Sequence, residues 1–181
     1  MVFSGLGFRR RAAVSAAAAE AAARAFRQAR EPDWYLKHAV PDTFEGRARL
    51  VTLFSALAIA RLARIGGRDA AELSSRLNQR ILDGFDAAFR EKGVGDASIA
   101  RKVRKLAEGH SGIGRAVVAA LAEADGPDSG ALAAIVHRNG LCVPGHEAGL
   151  SDALAGVFAA LLAQPDSEVL AGQFAFGGTG G

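Results

Sequence analysis

Apolar side chains recur at every fourth position from residue 73 to residue 89, and this spacing constrains the possible folds more than any other feature of the chain. The repeat consists of Leu73, Leu77, Ile81, Phe85 and Phe89. A four-residue spacing places these side chains on one face of an α-helix, whereas a half-buried strand would alternate at every second residue. Charged and amide side chains occupy many of the intervening positions, so the segment is predicted to be an amphipathic helix that buries this face.

A second helix is predicted to begin in the stretch Asp42-Thr43-Phe44-Glu45. This stretch has the pattern of a capping box, in which Asp42 accepts a backbone N–H and Glu45 reaches back to the helix start. The apolar spacing continues to about Ile65, and the pair Gly66-Gly67 is expected to end the helix. Because no alternating run is long enough for a strand, the sequence predicts an all-α, single-domain bundle of roughly six to eight helices.

Glycine-containing segments are predicted to separate the later helices. Gly93 is expected to cap the amphipathic helix and Asp96 to cap the next one, so that the stretch between them forms a corner. Asp69 with Glu72 is interpreted as a further capping box. The segment 109–114 contains three glycines and is predicted to be a loop or a weak helical joint.

Positive charge is concentrated in the first part of the chain. The net charge is +3, but residues 1–115 contribute +9 and residues 116–181 contribute −6. Lipid headgroups, nucleic acid or an acidic protein would all fit such an asymmetry. A basic run of four residues follows Asp96 and consists of Arg101, Lys102, Arg104 and Lys105. Since aromatic side chains for base stacking are missing around this run, we interpret it as an electrostatic docking surface, with an ordinary solvated helix face as the alternative.

The N-terminal segment is rich in arginine and poor in acidic residues. Residues 1–30 are predicted to form a basic amphipathic helix or tail, and residues 31–181 to form the helical domain. Glu20 interrupts the apolar centre that a secretory signal would need, although the composition also resembles a mitochondrial presequence. We favour a surface helix whose basic face contacts anionic lipid, with simple packing on the domain as the alternative. No stretch approaches the roughly 20 apolar residues that a membrane-spanning helix needs.

The sequence offers no convincing set of catalytic residues. His137, Cys142 and His146 are close enough in sequence to be metal ligands, but the only nearby fourth ligand is Glu147 and the spacing matches no structural zinc pattern. Because Cys142 is the single cysteine, no intrachain disulfide can form, and a reducing compartment is expected. The chain is predicted to be non-enzymatic, without a cofactor, a metal or a small-molecule substrate.

Two motifs at a defined spacing resemble the ubiquinol–cytochrome c chaperone family. The first is Val40-Pro41-Asp42-Thr43 followed by Gly46-Arg47, and the second is Arg90-Glu91 leading into Gly93-Val94-Gly95-Asp96. The basic run at residues 101–105 follows at the family's distance, and the segment from Ala134 to Asn139 resembles a later helix of the family. The resemblance extends from about Trp34 to Asn139.

This resemblance implies an all-helical assembly factor without enzymatic activity. Members of the family bind newly made cytochrome b and support the building of the ubiquinol–cytochrome c reductase complex. They are expected at the cytoplasmic side of the inner membrane in bacteria and in mitochondria in eukaryotes. The residues that we expect to form the surface for a client or partner are Asp42, Arg47, Arg90, Glu91 and Asp96, together with Arg101, Lys102, Arg104 and Lys105.

Two roles compete for the motif residues at this stage. They either contact a client directly, or they serve the fold, with Asp42 and Asp96 as helix caps and Arg47 in an internal ion-pair network with Arg90 or Glu91. The alternative functions are assembly of a different membrane-protein client, a nucleic-acid-binding helical module and, third, a metal enzyme that uses two histidines, His137 and His146.

The chain also departs from the family pattern at two places. Gly84 stands where an acidic residue is usual, two positions before Asp86. Gly112-Ile113 stands where the family usually has a pair of aromatic residues, although the following Gly114-Arg115 is kept. We expect the fold to survive both changes, whereas contacts with the client near residues 110–113 could differ.

Overall fold

The computed structural model describes residues 3–91, 96–122 and 129–177, with side chains described outside residues 3–6 and 96–100. Within these residues the chain forms helices throughout and no strand, so the predicted all-α fold is confirmed. The expected glycine corner at residues 93–95 lies outside the described residues. The eight helices of the described ranges are α1 (Phe3–Gln28), α2 (Asp33–Leu36), α3 (Phe44–Ile65), α4 (Gly67–Glu91), α5 (Asp96–Ala122), α6 (Ser129–Asn139), α7 (Glu147–Ala163) and α8 (Asp166–Leu170).

Helix α3 is the centre of the bundle. It contacts α1, α4, α5, α7 and α8, and its residues from Leu50 to Ala58 are all buried. Alanine, leucine and phenylalanine supply most of this stretch, so neighbouring helices can approach it from several sides without leaving a polar group unpaired. Gly66 ends the helix with a φ of +71°, which glycine adopts without a Cβ clash. The predicted stop at the glycine pair is therefore correct.

Helix α4 packs against α3 along the predicted four-residue repeat. Leu73, Leu77, Ile81, Phe85 and Phe89 are all buried. The periodicity predicted this face correctly, and α4 packs through it in a bundle where it contacts α1, α3 and α5.

Helix α1 packs on α3 and α4 through small side chains. Because its buried face is almost entirely alanine, the helix backbones can approach closely. The residues of this face are Val14, Ala17, Ala18, Ala21, Ala22 and Ala25. Arg10 ties the start of α1 to the start of α4 through Asp69 at 2.5 Å and Glu72 at 3.1 Å. Arg9 and Arg11 remain exposed beside Phe8, whose exposed fraction is 75%. The division of the chain at residue 30 stays a prediction.

Two local predictions about helix ends were wrong. Thr43, and not Asp42, caps α3, because the Thr43 side chain accepts the Gly46 N–H at 3.0 Å. Asp69 caps nothing, since α4 already begins at Gly67 and Asp69 lies in its first turn. In both places the carboxylate pairs with an arginine instead of a backbone N–H. A charged guanidinium is a stronger partner for a carboxylate than a neutral N–H group.

The predicted loop at residues 109–114 is also wrong, because α5 continues through it without a break. Buried side chains at His110 and Ile113 hold this part of the helix against the core, and they are followed by Val117 and Leu121 on the same face. This packing outweighs the low helix propensity of the three glycines, each of which costs about 1 kcal/mol relative to alanine.

A buried arginine joins α3 to the C-terminal helices. The Arg61 side chain is 8% exposed, and its guanidinium donates to the carbonyl oxygens of Leu161 at 2.8 Å and Gln164 at 3.0 Å. It also pairs with Asp166 at 2.5 Å. These carbonyls lie at the end of α7, where the helix has no N–H groups of its own to offer them. Arg61 therefore caps α7 from the side and orients α8.

We predict that Arg61→Leu lowers the free energy of unfolding by about 3 kcal/mol, because two helix-end carbonyls lose their donor in a buried place. Urea unfolding followed by circular dichroism measures this change. The control is Asp166→Asn, which removes only the half of the interaction that faces solvent and is expected to change stability little. An equal loss in both variants would contradict the capping role.

Candidate functional site

The first motif forms a tight turn that starts α3. Val40 is buried, and the Thr43 N–H donates to the Pro41 carbonyl oxygen at 2.8 Å. Gly46 lies directly against this turn, because a Cβ at Gly46 would lie 1.9 Å from the same Pro41 oxygen. Only glycine fits there, which gives the motif spacing a structural reason. Thr43 completes the turn as the cap of α3.

The same turn presents an exposed ion pair. Arg47 contacts the Asp42 carboxylate through Nη2 at 2.7 Å and through Nε at 2.8 Å. Both side chains are more than half exposed, and the hydrogen bond that Arg47 donates to Asp42 raises the pKa of Arg47. The Arg47 guanidinium also lies over the Tyr35 ring at 5.5 Å, and the Tyr35 hydroxyl donates to the Ala29 carbonyl. The pair is thus oriented from two sides while staying accessible.

The structure brings the two motifs together through an aromatic contact. Phe44, at the start of α3, packs against Phe89, near the end of α4, with 4.6 Å between ring centroids. Arg90 and Glu91 follow directly and are exposed, and Arg90 pairs with Asp86 at 2.7 Å. The alternative of an internal ion-pair network between Arg47 and Arg90 or Glu91 is not seen among the described contacts, in which Arg47 pairs with Asp42 and Arg90 with Asp86. Asp96 begins α5, and its side chain lies outside the described ones.

An apolar groove of about 440 Å³ lies on one side of this aromatic contact. Phe26 of α1, Phe44 of α3 and Phe85 of α4 line its floor, and Phe26 meets Phe85 edge to face at 6.2 Å. Asp42 and Arg47 stand at its rim, with Arg30 and Ala88 also on its wall. We call this the apolar groove. It combines an aromatic surface with an exposed charged pair.

The position of Gly84 explains one departure from the family pattern. A Cβ at Gly84 would lie 2.4 Å from the Phe26 ring, so the ring of α1 occupies the space that a side chain would need. Glycine at this position therefore lets α1 contribute an aromatic side chain to the apolar groove. Phe26 was missed in the sequence analysis because this contact joins residues far apart in the chain.

A second groove, of about 620 Å³, lies on the other side of the aromatic contact. Arg101, Lys102 and Lys105 of α5 line it, and Arg49 of α3 faces them. Lys102 also lies over the Phe89 ring, 6.0 Å from its centroid. We call this the basic groove. Arg104 is exposed but is not among its lining residues, so three of the four predicted basic residues line this groove.

Arg49 was not predicted as a site residue, although its spacing from Glu45 on the predicted helix could have indicated it. It lies four residues after Glu45, so both share a face of α3, and both line the basic groove. Arg49 donates to the Gly140 carbonyl oxygen at 2.9 Å, which orients its guanidinium from the end of α6. A single sequence does not show that α6 ends beside α3, so this partner could not be predicted.

His110 is the buried polar residue beneath the basic groove. Its Nδ1 is 3.0 Å from the Thr52 hydroxyl and its Nε2 is 2.8 Å from the Asn78 amide oxygen. Burial lowers the pKa of His110, so its neutral form is favoured in the folded chain. The histidine thereby links α3, α4 and α5 at one point.

The residues considered as metal ligands do not assemble in the described part of the chain. There, no group of three or more His, Cys, Asp or Glu side chains could hold a metal ion. His137 contacts Glu147 at 3.2 Å, whereas Cys142 is buried, and burial raises the pKa of its thiol. None of the described helices is long and apolar enough to cross a lipid bilayer.

Fold and surface together define an all-α protein with two adjacent grooves at one end of its central helix. The sequence profile of the ubiquinol–cytochrome C chaperone family matches residues 36–176, and the chain belongs to this family. The crystal structure of the Cbp3 homolog from Brucella abortus is similar, with a TM-score of 0.74 and 27% sequence identity over 96% of this chain and 95% of that one. A comparison with curated protein sequences gives no significant match. The resemblance drawn from the two motifs is confirmed.

We predict that Gly46→Ala destabilises the protein by about 2 kcal/mol, because the new methyl group forces the Pro41 turn away from α3. Gly112→Ala is the matched control. Gly112 is also helical, but nothing lies within 4 Å of its added Cβ, so the change is expected to stabilise by about 1 kcal/mol through helix propensity. Thermal unfolding of both variants checks the difference, and a neutral Gly46→Ala would contradict the close approach.

We further predict that His110 makes stability depend on pH. The folded pKa is lowered from the ordinary value of 6.5, so the stabilisation is complete above 6.5. It declines as the pH falls below 6.5 towards the folded pKa, because the unfolded chain then takes up a proton that the folded chain resists. Urea unfolding on either side of that value measures the loss. His110→Gln, which cannot take up this proton, should show a shallower pH dependence, and an unchanged dependence would contradict the assignment.

Proposed function

We propose that this protein is an assembly chaperone of the ubiquinol–cytochrome c reductase that binds newly made cytochrome b. The family membership supports the chaperone role, and the family resemblance supports the client. The observation that carries the proposal is the apolar groove, because the motif pair Asp42–Arg47 stands at the rim of an aromatic floor. Exposed ion pairs contribute little to the free energy of unfolding. A purely structural role therefore does not account for the Asp42–Arg47 pair.

A groove of this kind suits a segment of a membrane protein. Cytochrome b exposes apolar side chains before it is assembled, and Phe26, Phe44 and Phe85 offer a surface on which such side chains can be buried. Arg47 at the rim can hydrogen-bond to backbone carbonyls or acidic groups of the client. A different membrane-protein client would meet the same surface, so identification of the bound protein is part of the test.

We further propose that the protein acts at the surface of the inner membrane, on its cytoplasmic side in a bacterium or in mitochondria in a eukaryote. The start of α1 supports this placement, because Phe8 is 75% exposed and lies next to the exposed Arg9 and Arg11. An exposed aromatic beside two arginines suits the interface of an anionic membrane. This contact would hold the chaperone where its client is inserted, and no enzymatic step is part of the proposal.

We predict that Ala88→Glu abolishes client binding. Ala88 is half-buried on the wall of the apolar groove, and a carboxylate there would have to be desolvated when an apolar client segment binds. The matched control is Ala87→Glu, which adds the same charge to the exposed face of the same helix. Co-purification of newly translated cytochrome b with the tagged chaperone measures binding, and circular dichroism shows that both variants fold.

Arg47→Ala separates direct contact from a structural role. Because its ion pair is exposed, the melting temperature is expected to stay close to that of the wild type while client binding falls. Arg76→Ala serves as the control, since Arg76 also pairs with a glutamate on the surface, away from both grooves. If the Ala88→Glu variant and the Arg47→Ala variant both still bind the client, the client binds elsewhere and the proposed site is overturned.

A further inference from the structure

The basic groove gathers positive charge from two separate helices. Arg49 comes from α3, whereas Arg101, Lys102 and Lys105 come from α5. Glu45 is the single carboxylate among the lining residues, so four cationic groups face one anionic group. Like charges held in one concave place repel one another, and the recess weakens the screening by solvent. An arrangement of this kind is stabilised when an anion occupies it.

The three α5 cations that line the groove have no carboxylate partner among the described residues. By contrast, the arginines of the neighbouring surface have carboxylate partners: Arg47 pairs with Asp42, and Arg90 pairs with Asp86. Arg49 is held by the Gly140 carbonyl, which leaves the rest of its guanidinium available on the groove side. The cations are therefore oriented but not neutralised, which distinguishes the groove from the surrounding surface.

The shape of the groove favours a small ligand. Its volume of about 620 Å³ lies within the range of small-molecule sites, roughly 300–1,000 Å³. Its wall is not uniformly polar, because Phe89, Leu106 and Ile113 line it beside the cations, and Asn139 adds an amide. This lining suits a ligand that carries strong negative charge at one end and that can place an apolar part against the other side of the groove.

We propose that the basic groove binds a phosphate ester, with its phosphate on Arg101, Lys102 and Lys105 and its apolar part against Phe89 and Leu106. Arginine forks and lysine ammonium groups are the side chains that bind phosphate oxygens best. Such a ligand has two sources, the headgroup region of an anionic phospholipid and a soluble phosphate ester. The proposal does not depend on client binding, which involves the apolar groove on the other side of the aromatic contact.

The test uses the full-length purified chain and two probes. Isothermal titration calorimetry at low ionic strength is carried out with pyrophosphate and with monomeric dihexanoyl phosphatidic acid. We expect binding of one ligand per chain. Binding of both probes means that phosphate alone suffices, as a soluble ester would require, whereas binding of the lipid alone identifies the headgroup region as the source. Absence of binding by either probe overturns the proposal.

Two pairs of variants separate the groove from general electrostatic attraction. Lys105→Gln is expected to weaken binding roughly tenfold, because a charged hydrogen bond to the ligand is lost. Arg104→Gln removes the same charge one residue away, but Arg104 does not line the groove, so its affinity should stay near that of the wild type. An equal loss in both variants would mean a diffuse basic surface, of the kind that attracts nucleic acid, and would overturn the proposal.

The second pair tests the shape of the groove without changing its charge. Gly109 lines the groove and has nothing within 4 Å of an added Cβ, so Gly109→Leu fills the space without straining the backbone. Gly112→Leu places the same side chain on an exposed part of α5 outside the groove. We expect at least a roughly tenfold loss of affinity for Gly109→Leu and none for Gly112→Leu. Unchanged binding in Gly109→Leu, in a folded protein, contradicts the assigned site.

Discussion

The burial of α3 on several sides is the constraint on which the rest of the structure depends. A helix surrounded by α1, α4, α5, α7 and α8 can offer chemistry to solvent mainly at its ends. At the C-terminal end, Arg61 is used to hold α7 and α8 in place. The N-terminal end is where Asp42, Glu45 and Arg47 reach the surface. Both grooves lie at that end, because the stretch from Leu50 to Ala58 is buried in the core.

The turn before α3 shows how one backbone contact serves both fold and surface. Gly46 allows the Pro41 carbonyl to lie against the first turn of the helix, and Thr43 caps that turn. With the cap supplied by threonine, the Asp42 carboxylate is released from the backbone and becomes the partner of Arg47. The motif is therefore divided between residues that shape the turn and residues that remain exposed on it. A motif of this kind needs both parts at fixed spacing.

Much of the fold could be predicted from the sequence, because periodicity reports burial directly. The repeat from Leu73 to Phe89 buries as expected, and Gly66 ends α3 at the predicted place. The errors came where tertiary packing outweighed local preference. Glycines at 109, 112 and 114 indicated a joint, but His110 and Ile113 hold α5 straight through contacts that only the folded chain makes. The proximity of the two motifs was predictable, whereas Phe26 and Arg49 belong to the grooves through long-range contacts.

The two grooves are expected to bind ligands with a different dependence on salt, because their cationic side chains differ in whether they have a carboxylate partner. At the apolar groove, Arg47 is neutralised by Asp42, so binding there depends mainly on apolar area and changes little with salt. At the basic groove, the cations of α5 are not neutralised by described carboxylates, so attraction there is long-ranged and falls as ionic strength rises. Phe44 and Phe89 pack together between the two grooves and keep them a short distance apart. The proposed client segment and the proposed anionic ligand would therefore occupy separate sites, and neither would displace the other.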